Sequence, residues 1–240
     1  MYERPDVPKP GRHRTAVAVA VLVAIGCALL VGLPALWHLA NETNASTLGD
    51  GALQEAVASR DNALAVPEGS EPTGADVETF LVLTVGDVRA DAPALQGAEL
   101  LCVDHTAKDS HRVTLPTDLA VTAGGAATTL ADLFAARGEG ACVAPVSAAT
   151  GLAVSHVVEL DGEGWSLFER AVAGGIQGAA QAGPELLSSL RTDMDTGQLM
   201  DLPDSLAGTG VSAAEPEPCP MAGDGVDRAA LGVLVGTLRG

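Results

Sequence analysis

The sequence predicts an α/β domain in which helices cover a mixed β-sheet, preceded by one transmembrane helix. Three observations predict it: a long apolar run without charges near the N-terminus, short apolar runs bounded by turn residues, and helical patterns that alternate with them. A hairpin between two of the short runs makes the predicted sheet mixed. The 240 residues have room for one such domain beside a membrane segment.

The first predicted element is the membrane anchor. Residues 15–38 contain no Asp, Glu, Lys or Arg, and about 20 apolar residues in a helix cross a bilayer core of ~30 Å. The tail before them, residues 1–14, carries four basic residues, which the positive-inside rule keeps in the cytoplasm. We therefore predict a single-pass protein of the cell membrane with an extracytoplasmic C-terminal domain. A signal peptide cleaved near Ala40 is the alternative, although the apolar run exceeds the ~7–15 residues typical of one.

The part after the anchor is strongly acidic. It holds nine of the 13 Lys and Arg residues and 29 of the 31 Asp and Glu residues, a net charge of −20. Nucleic-acid binding depends on basic side chains that displace counterions from phosphates, so this charge excludes nucleic acid as a partner. Within this part, residues 39–75 are polar and rich in Pro and Gly and predict a linker, and residues 76–240 predict the folded domain.

The elements of the domain follow from apolar patterning. A continuous apolar run before Gly86 predicts a strand buried on both faces, and a polar turn at residues 105–110 predicts the hairpin. The predicted strands are Thr79–Val85, Ala98–Asp104, His111–Leu115, Ala153–Leu160 and Val211–Glu215. The predicted helices are Gly51–Arg60, Thr129–Arg137, Ala141–Thr150, a segment carrying Trp165, Phe168 and Val172, Glu185–Arg191, Thr196–Leu206 and Asp227–Leu238.

The cysteines and the hairpin are two further candidate sites. Cys102, Cys142 and Cys219 follow the anchor, and three thiols allow at most one disulfide. The hairpin carries a metal-like set of residues, for which solvated polar side chains are the favoured interpretation: Asp104, His105, Asp109 and His111.

Three motifs carry a resemblance to a known family. His111–Asp118 (HRVTLPTD) is similar to a strand that ends in Ile-Pro-Arg-Asp. Thr129–Phe134 (TLADLF) stands where Lys-Ile-Asn-x-Ala-Tyr is usual. Gly151–Asp161 (GLAVSHVVELD) aligns without a gap with Gly-Ile-Pro-Ile-Asp-His-Tyr-Val-Glu-Val-Asp. In this order and spacing, Val113–Gly175 resembles the LytR-CpsA-Psr family, whose members transfer glycopolymers from polyprenyl-pyrophosphate carriers to the bacterial cell wall.

The resemblance implies a layered α-β-α fold and a set of functional residues. It implies Mg²⁺ held by Glu78 and Asp118, with Arg112 as a third catalytic residue. It also implies that the lipid or glycan contacts Thr117, Arg89, Arg137 and His156, and that small residues of 141–149 and 171–182 line a lipid groove. The implied partners are the membrane and a polyprenyl-phosphate lipid or cell-wall glycopolymer.

The chain departs from the family in its cations. Thr117 replaces the arginine of Pro-Arg-Asp, Thr129 replaces a lysine, and Arg191 is the only basic residue between Ala171 and Asp227. Because a leaving pyrophosphate needs clustered positive charge, we expect a pseudoenzyme with impaired catalysis. Two alternatives stay open: an active Mg²⁺-dependent phosphotransferase that joins glycopolymer to peptidoglycan, and a non-enzymatic exported interaction module.

Overall fold

A computed structural model describes residues 48–60, 64–90, 92–173, 189–206, 208–211 and 214–240. These residues belong to one compact unit that begins at Ser46. The predicted tail 1–14 and anchor 15–38 lie outside the described residues. None of the helices in the described ranges reaches the length and apolarity that a bilayer crossing requires.

A six-stranded mixed sheet forms the centre of the unit. In chain order the strands are β1 (Glu71–Pro72), β2 (Val77–Val85), β3 (Leu95–Asp104), β4 (Asp109–Leu115), β5 (Ala120–Ala123), β6 (Ala126–Thr129), β7 (His156–Asp161), β8 (Leu190–Thr192), β9 (Pro216–Pro218), β10 (Met221–Ala222), β11 (Gly225–Val226) and β12 (Leu238–Arg239). The central sheet has the order β8-β7-β2-β3-β4-β9. The β2–β7 and β4–β9 pairs are parallel, and the other three pairs are antiparallel.

Among the described residues, six helices pack around the sheet. They are α1 (Gly51–Ala58), α2 (Leu130–Arg137), α3 (Gly140–Thr150), α4 (Gly162–Ala173), α5 (Thr196–Ser205) and α6 (Arg228–Leu234). Side chains of Asp50, Thr129 and Asp227 accept hydrogen bonds from first-turn amides of α1, α2 and α6, which satisfies donors that have no partner inside the helix. Gly151 ends α3 in the left-handed conformation, with φ of +74°. These caps explain why the helices begin and end where they do.

The sheet buries a separate apolar core on each face. The larger core takes alternate residues of the central strands, such as Leu81, Leu100 and Val157, and packs them against α1, α2, α3 and α6. The smaller core takes the residues between them, such as Phe80 and Leu101, and packs them against side chains of α5 and the half-buried Trp165 of α4. The predicted α/β class with a mixed sheet is therefore confirmed.

The predicted linker is wrong from residue 48 onward. Helix α1 was correctly predicted, but its Leu53 is buried in the larger core. The short strand β1 pairs with β12 near the C-terminus. Residues 48–60 and 64–75 thus belong to the folded unit. The apolar residues Leu53 and Val57, four positions apart on α1, pack into the larger core.

Two predictions near the C-terminus are also wrong. Leu190 and Arg191 were assigned to a helix but form part of β8, which pairs with β7. The predicted strand Val211–Glu215 is replaced by β9, immediately after it, which pairs with Arg112–Thr114 of β4. Proline lacks the amide that a central strand needs, but β9 lies at the sheet edge, where such residues are accepted.

The three cysteines of the domain are free and buried. Burial raises the pKa of the Cys102 and Cys142 thiols to about 12 and that of Cys219 to about 11. They are neutral at physiological pH and act as small apolar side chains.

Candidate functional site

A cluster of charged side chains lies where β2 and β7 begin. Glu78 is the second residue of β2, His156 is the first residue of β7, and His105 follows the last residue of β3. The parallel register places His156 beside Phe80, and the two rings stack with centroids 5.3 Å apart. β2 and β7 are parallel and begin at the same edge of the sheet, where the antiparallel β3 ends. Glu78, His156 and His105 therefore lie close together at that edge.

Glu78 and both histidines are joined directly. One carboxylate oxygen of Glu78 lies 3.0 Å from Nε2 of His105, and the other lies 3.3 Å from Nε2 of His156. The side chains of the three residues are 26%, 29% and 18% exposed, so the cluster is in contact with solvent.

A fourth residue, Asp193, holds the other side of the His156 ring. Its carboxylate lies 2.9 Å from Nδ1 of His156 and accepts a 2.7 Å hydrogen bond from the amide of Val157. Its carbonyl accepts a hydrogen bond from the side chain of Gln54 on α1. Asp193 is 5% exposed, so this cluster, which we call the His156 network (Glu78, His105, His156 and Asp193), is fixed from its buried end.

The network favours a charged His156. Burial lowers the pKa of His156, but hydrogen bonds to Asp193 and Glu78 outweigh it and raise that pKa to about 9. The hydrogen bond from His156 lowers the pKa of Glu78, against the opposing effect of burial. A general base works best with a pKa near the ambient pH. His156 is instead a cation between two carboxylates at neutral pH, which suits it for holding structure and not for binding an anion.

The register of the sheet separates the strand positions of the predicted Mg²⁺ pair, Glu78 and Asp118. Glu78 lies opposite Val103, whereas Leu83 lies opposite Ala98, which in turn lies opposite Leu115 at the end of β4. Five residues of extended strand span more than about 15 Å, and Asp118 lies three residues beyond Leu115. Glu78 and the strand end that leads to Asp118 are therefore at opposite edges of the sheet, which argues against one cation held by both carboxylates.

The part of the chain that the structure describes contains no group of three or more metal-ligating side chains that could hold an ion. The polar residues of the hairpin separate: His105 turns to Glu78, and His111 lies 3.7 Å from both Asp109 and Glu217. Asp104 is buried and accepts hydrogen bonds from the amides of Thr106 and Ala107 in the turn, so the four residues of the hairpin do not form one solvated group.

Arg112 lies on the face of the sheet that carries the smaller core. Its guanidinium forms a 3.0 Å ion pair with Glu99 and lies 4.3 Å from the centroid of the Trp165 ring. It is 9% exposed. A carboxylate and an aromatic ring together stabilise a buried guanidinium, so the charge of Arg112 is largely compensated within the protein.

The other predicted binding residues do not gather around Arg112. Arg89 is exposed in the turn after β2, and Arg137 is exposed at the end of α2, which packs on the larger core. Thr117 is half-buried and its carbonyl accepts a hydrogen bond from the amide of Ala131. Their predicted contacts with a lipid or glycan, and that of His156, stay predictions.

The predicted groove lining at 141–149 is divided between surface and core: Ala144 and Ala148 of α3 are exposed, and their contact with a lipid stays a prediction. In α3, Cys142, Val143 and Val146 are fully buried in the larger core. A cavity of about 220 Å³ opens beside Val77 and Arg228, and a shallower one of about 610 Å³ lies beside β9 and α6. Most of 171–182 lies outside the described residues.

Sequence reasoning missed two members of the network. His105 was assigned to the hairpin, although its position one residue past a strand that pairs with the start of β2 places it beside Glu78. Asp193 lies in a segment without apolar alternation, and its role depends on β8 pairing with β7, which the sequence did not predict.

Comparisons with known proteins bear on the fold. The sequence matches no protein-family profile, and no curated protein matches it significantly. Among solved structures, TagV of B. subtilis is similar with a TM-score of 0.50 and 10% identity, covering 67% of this chain and 95% of TagV. Protein gbs0355 of Streptococcus agalactiae is similar with a TM-score of 0.53 and 7% identity, covering 68% of this chain and 89% of that protein.

At these identities the similarity concerns the fold alone. Both neighbours are covered almost completely, so the shared part is a whole domain and not a fragment. TagV is a LytR-CpsA-Psr protein, the family that the three sequence motifs resemble. The chain therefore has the LytR-CpsA-Psr-like fold that its sequence predicts.

Proposed function

We propose that this chain is a membrane-anchored protein of the cell envelope that binds polyprenyl-phosphate-linked glycopolymer during cell-wall assembly without transferring it. The fold shared with TagV and the order of the sequence motifs support the envelope assignment. The charge asymmetry around residues 15–38 supports the anchor and the extracytoplasmic position of the domain.

The arrangement of cations is the observation on which the loss of transfer rests. Phosphoryl transfer from a pyrophosphate needs several cations around the phosphates, often with a divalent metal. Here Arg112 is paired with Glu99, and Arg191 lies 3.2 Å from Asp50 and 3.1 Å from Glu139. An arginine engaged in this way must lose its carboxylate partner before it binds a phosphate.

The size of this effect favours binding over catalysis. A hydrogen bond to a charged group contributes about 1.5–3 kcal/mol, and each 1.4 kcal/mol of transition-state stabilisation is tenfold in rate. The two missing cations, at Thr117 and Thr129, therefore reduce the rate by more than about a hundredfold. Binding loses less, because the apolar part of a polyprenyl chain supplies affinity that does not depend on charge.

The test uses the full chain in detergent with two measurements. The first follows release of phosphate from a polyprenyl-pyrophosphate with Mg²⁺ present. We expect the wild type and Glu78→Ala to show the same background rate. The second measures retention of radiolabelled polyprenyl phosphate by the purified protein, and we expect retention above that of an unrelated single-span protein.

Each measurement has an outcome that contradicts the proposal. Phosphate release that Arg112→Ala abolishes, while the exposed control Arg170→Ala preserves it, establishes an active phosphotransferase. Absence of lipid retention refutes the binding function, and the chain is then an interaction module with this fold.

A further inference from the structure

Glu159 is a buried carboxyl group without a hydrogen-bond partner. It lies on β7, between Leu83 of β2 and Arg191 of β8, and is 1% exposed. Neither of its carboxylate oxygens has a hydrogen-bond partner within the described residues. An ionised carboxylate in such surroundings is unfavourable, because it has left water without gaining an equivalent contact.

The surroundings contain more acids than bases. Arg191 lies 3.1 Å from Glu139, the residue before α3, and 3.2 Å from Asp50, the residue before α1. One guanidinium thus serves the carboxyl groups of Glu139 and Asp50 and also lies opposite Glu159. Glu139 is close enough to Glu159 for the two carboxyl groups to share a hydrogen bond when one of them is protonated.

These contacts favour the neutral form of Glu159. Burial is the largest cause, the charge of Glu139 adds to it, and Arg191 opposes both, so that the pKa of Glu159 rises to about 7. Two further neighbours add no charge in this range: β2 presents Leu83, and burial raises the pKa of the Cys142 thiol on α3 to about 12.

On the strand itself, Asp161 faces the same side as Glu159. Its carboxylate is engaged, because it accepts a hydrogen bond from the amide of Gly164 at the start of α4. Glu159 is therefore the group in this set whose ionisation is coupled to the ion pairs of Arg191.

The same ion pairs hold α1 in place. Asp50 caps α1 with hydrogen bonds to two first-turn amides and also binds Arg191. The helix approaches α3 closely at Gly140, where a Cβ atom would lie 3.4 Å from Leu53 and 3.5 Å from Ala56. The pairing between Asp50, Arg191 and Glu139 thus adds to the burial of Leu53 in fixing the position of α1.

We propose that Glu159 and Glu139 form a proton-operated latch on α1. With a proton on Glu159, its hydroxyl donates to Glu139, and Arg191 binds Asp50 and Glu139 as observed. When that proton is lost to solvent, the buried pocket gains a negative charge that competes with Asp50 for Arg191, and α1 opens to hydrate it. Opening of α1 is then favoured as the pH rises.

The expected pH dependence has a definite form. In the open state Glu159 is hydrated and titrates near its ordinary pKa of 4.5, and in the closed state it titrates near 7. Between these values opening releases one proton, so the opening constant rises about tenfold per pH unit. Above about pH 7 both states are ionised and the opening constant levels.

Hydrogen exchange of the α1 amides in the full chain measures this constant. After correction for the intrinsic exchange rate, we expect the exchange of residues 51–58 to follow the predicted slope from about pH 5 to 7. We expect amides of β2 and β3 to lack that slope. A wild-type profile for α1 without the slope overturns the proposal.

Substitutions identify the group that releases the proton. Glu159→Gln keeps the shape and donates to Glu139 at every pH, so we expect a flat profile. The matched control Glu163→Gln changes an exposed residue of α4 and keeps the wild-type slope. Glu139→Gln removes the neighbouring charge and moves the upper end of the slope to lower pH, which tests the latch even if the first variant folds poorly. Persistence of the wild-type slope in Glu159→Gln overturns the latch.

Discussion

Strand β7 carries two charged networks, one on each face, and they are built in opposite ways. Around His156, one imidazolium lies between the carboxylates of Glu78 and Asp193. Around Glu159, a buried carboxyl group lies beside another carboxyl group, and the nearest guanidinium is already shared. Successive side chains of a strand point to opposite faces of the sheet. Because His156 and Glu159 are three positions apart on β7, they lie on different faces.

The comparison shows that the charges beside each buried group decide whether the effect of burial prevails. Burial disfavours the charged form in both cases. His156 stays charged because two carboxylates flank it. The neutral form of Glu159 is favoured because the charge of Glu139 adds to the effect of burial and Arg191 does not outweigh the two. The His156 network therefore acts as a fixed connection near neutral pH, while Glu159 changes its charge there.

The largest expected effect comes from removing the buried end of the His156 network. Asp193→Ala leaves the amide of Val157 without its acceptor and His156 without its main anion. Breaking a buried pair by removing one partner costs about 3–5 kcal/mol. We expect the free energy of unfolding at pH 7 to fall by about 3 kcal/mol in urea denaturation.

Asp201→Ala is the control for that experiment. Asp201 is exposed on α5, and surface substitutions of this kind change stability by less than about 0.5 kcal/mol. If the two variants lose similar amounts, the His156 network does not stabilise the fold.

A smaller effect is expected at the exposed end of the network. Glu78→Gln removes the second carboxylate beside His156, which should lower the pKa of His156 from about 9 by about one unit, equal to about 1.4 kcal/mol. Because the folded-state pKa is raised above 6.5, the stabilisation by His156 is complete below about pH 6.5 and is lost as the pH rises towards 9. In Glu78→Gln that loss is complete at lower pH.

Proton NMR of the imidazole C–H resonances gives the midpoint directly. Glu71→Gln changes an exposed residue of β1 and should leave the His156 midpoint near 9. A wild-type midpoint near 6.5 contradicts the proposed charge of His156, and an unchanged midpoint in Glu78→Gln shows that Asp193 alone sets it.

The fold was largely predictable because apolar patterning is a local signal. The continuous run of β2, the hairpin between β3 and β4, and the end of α3 at Gly151 can each be read from a few neighbouring residues. The errors lie in segments whose structure depends on contacts with distant residues. β8 forms because it pairs with β7, and β9 pairs with β4 although its two prolines disfavour a strand.

The site was less predictable because it depends on register. The sequence named Glu78 and His156 for separate roles, and only the pairing of β2 with β7 brings them within 3.3 Å. The pairing of Glu78 with Asp118 followed family spacing, which carries no information on the edge of the sheet that each residue occupies. Similarly, Glu159 was read as part of an apolar strand, and nothing local shows that Glu139 and Arg191 face it.

The smallest expected effect tests the separation of the two sheet edges. Asp118 is exposed, so Asp118→Asn should change the free energy of unfolding by less than about 0.5 kcal/mol and leave the His156 midpoint unchanged. A cation held by Glu78 and Asp118 together would stabilise the wild type in proportion to its concentration. We expect Mg²⁺ to raise the melting temperatures of the wild type and Asp118→Asn equally. If only the wild type responds to Mg²⁺, Asp118 holds a cation, and its partner must then be sought at its own edge of the sheet, more than about 15 Å from Glu78.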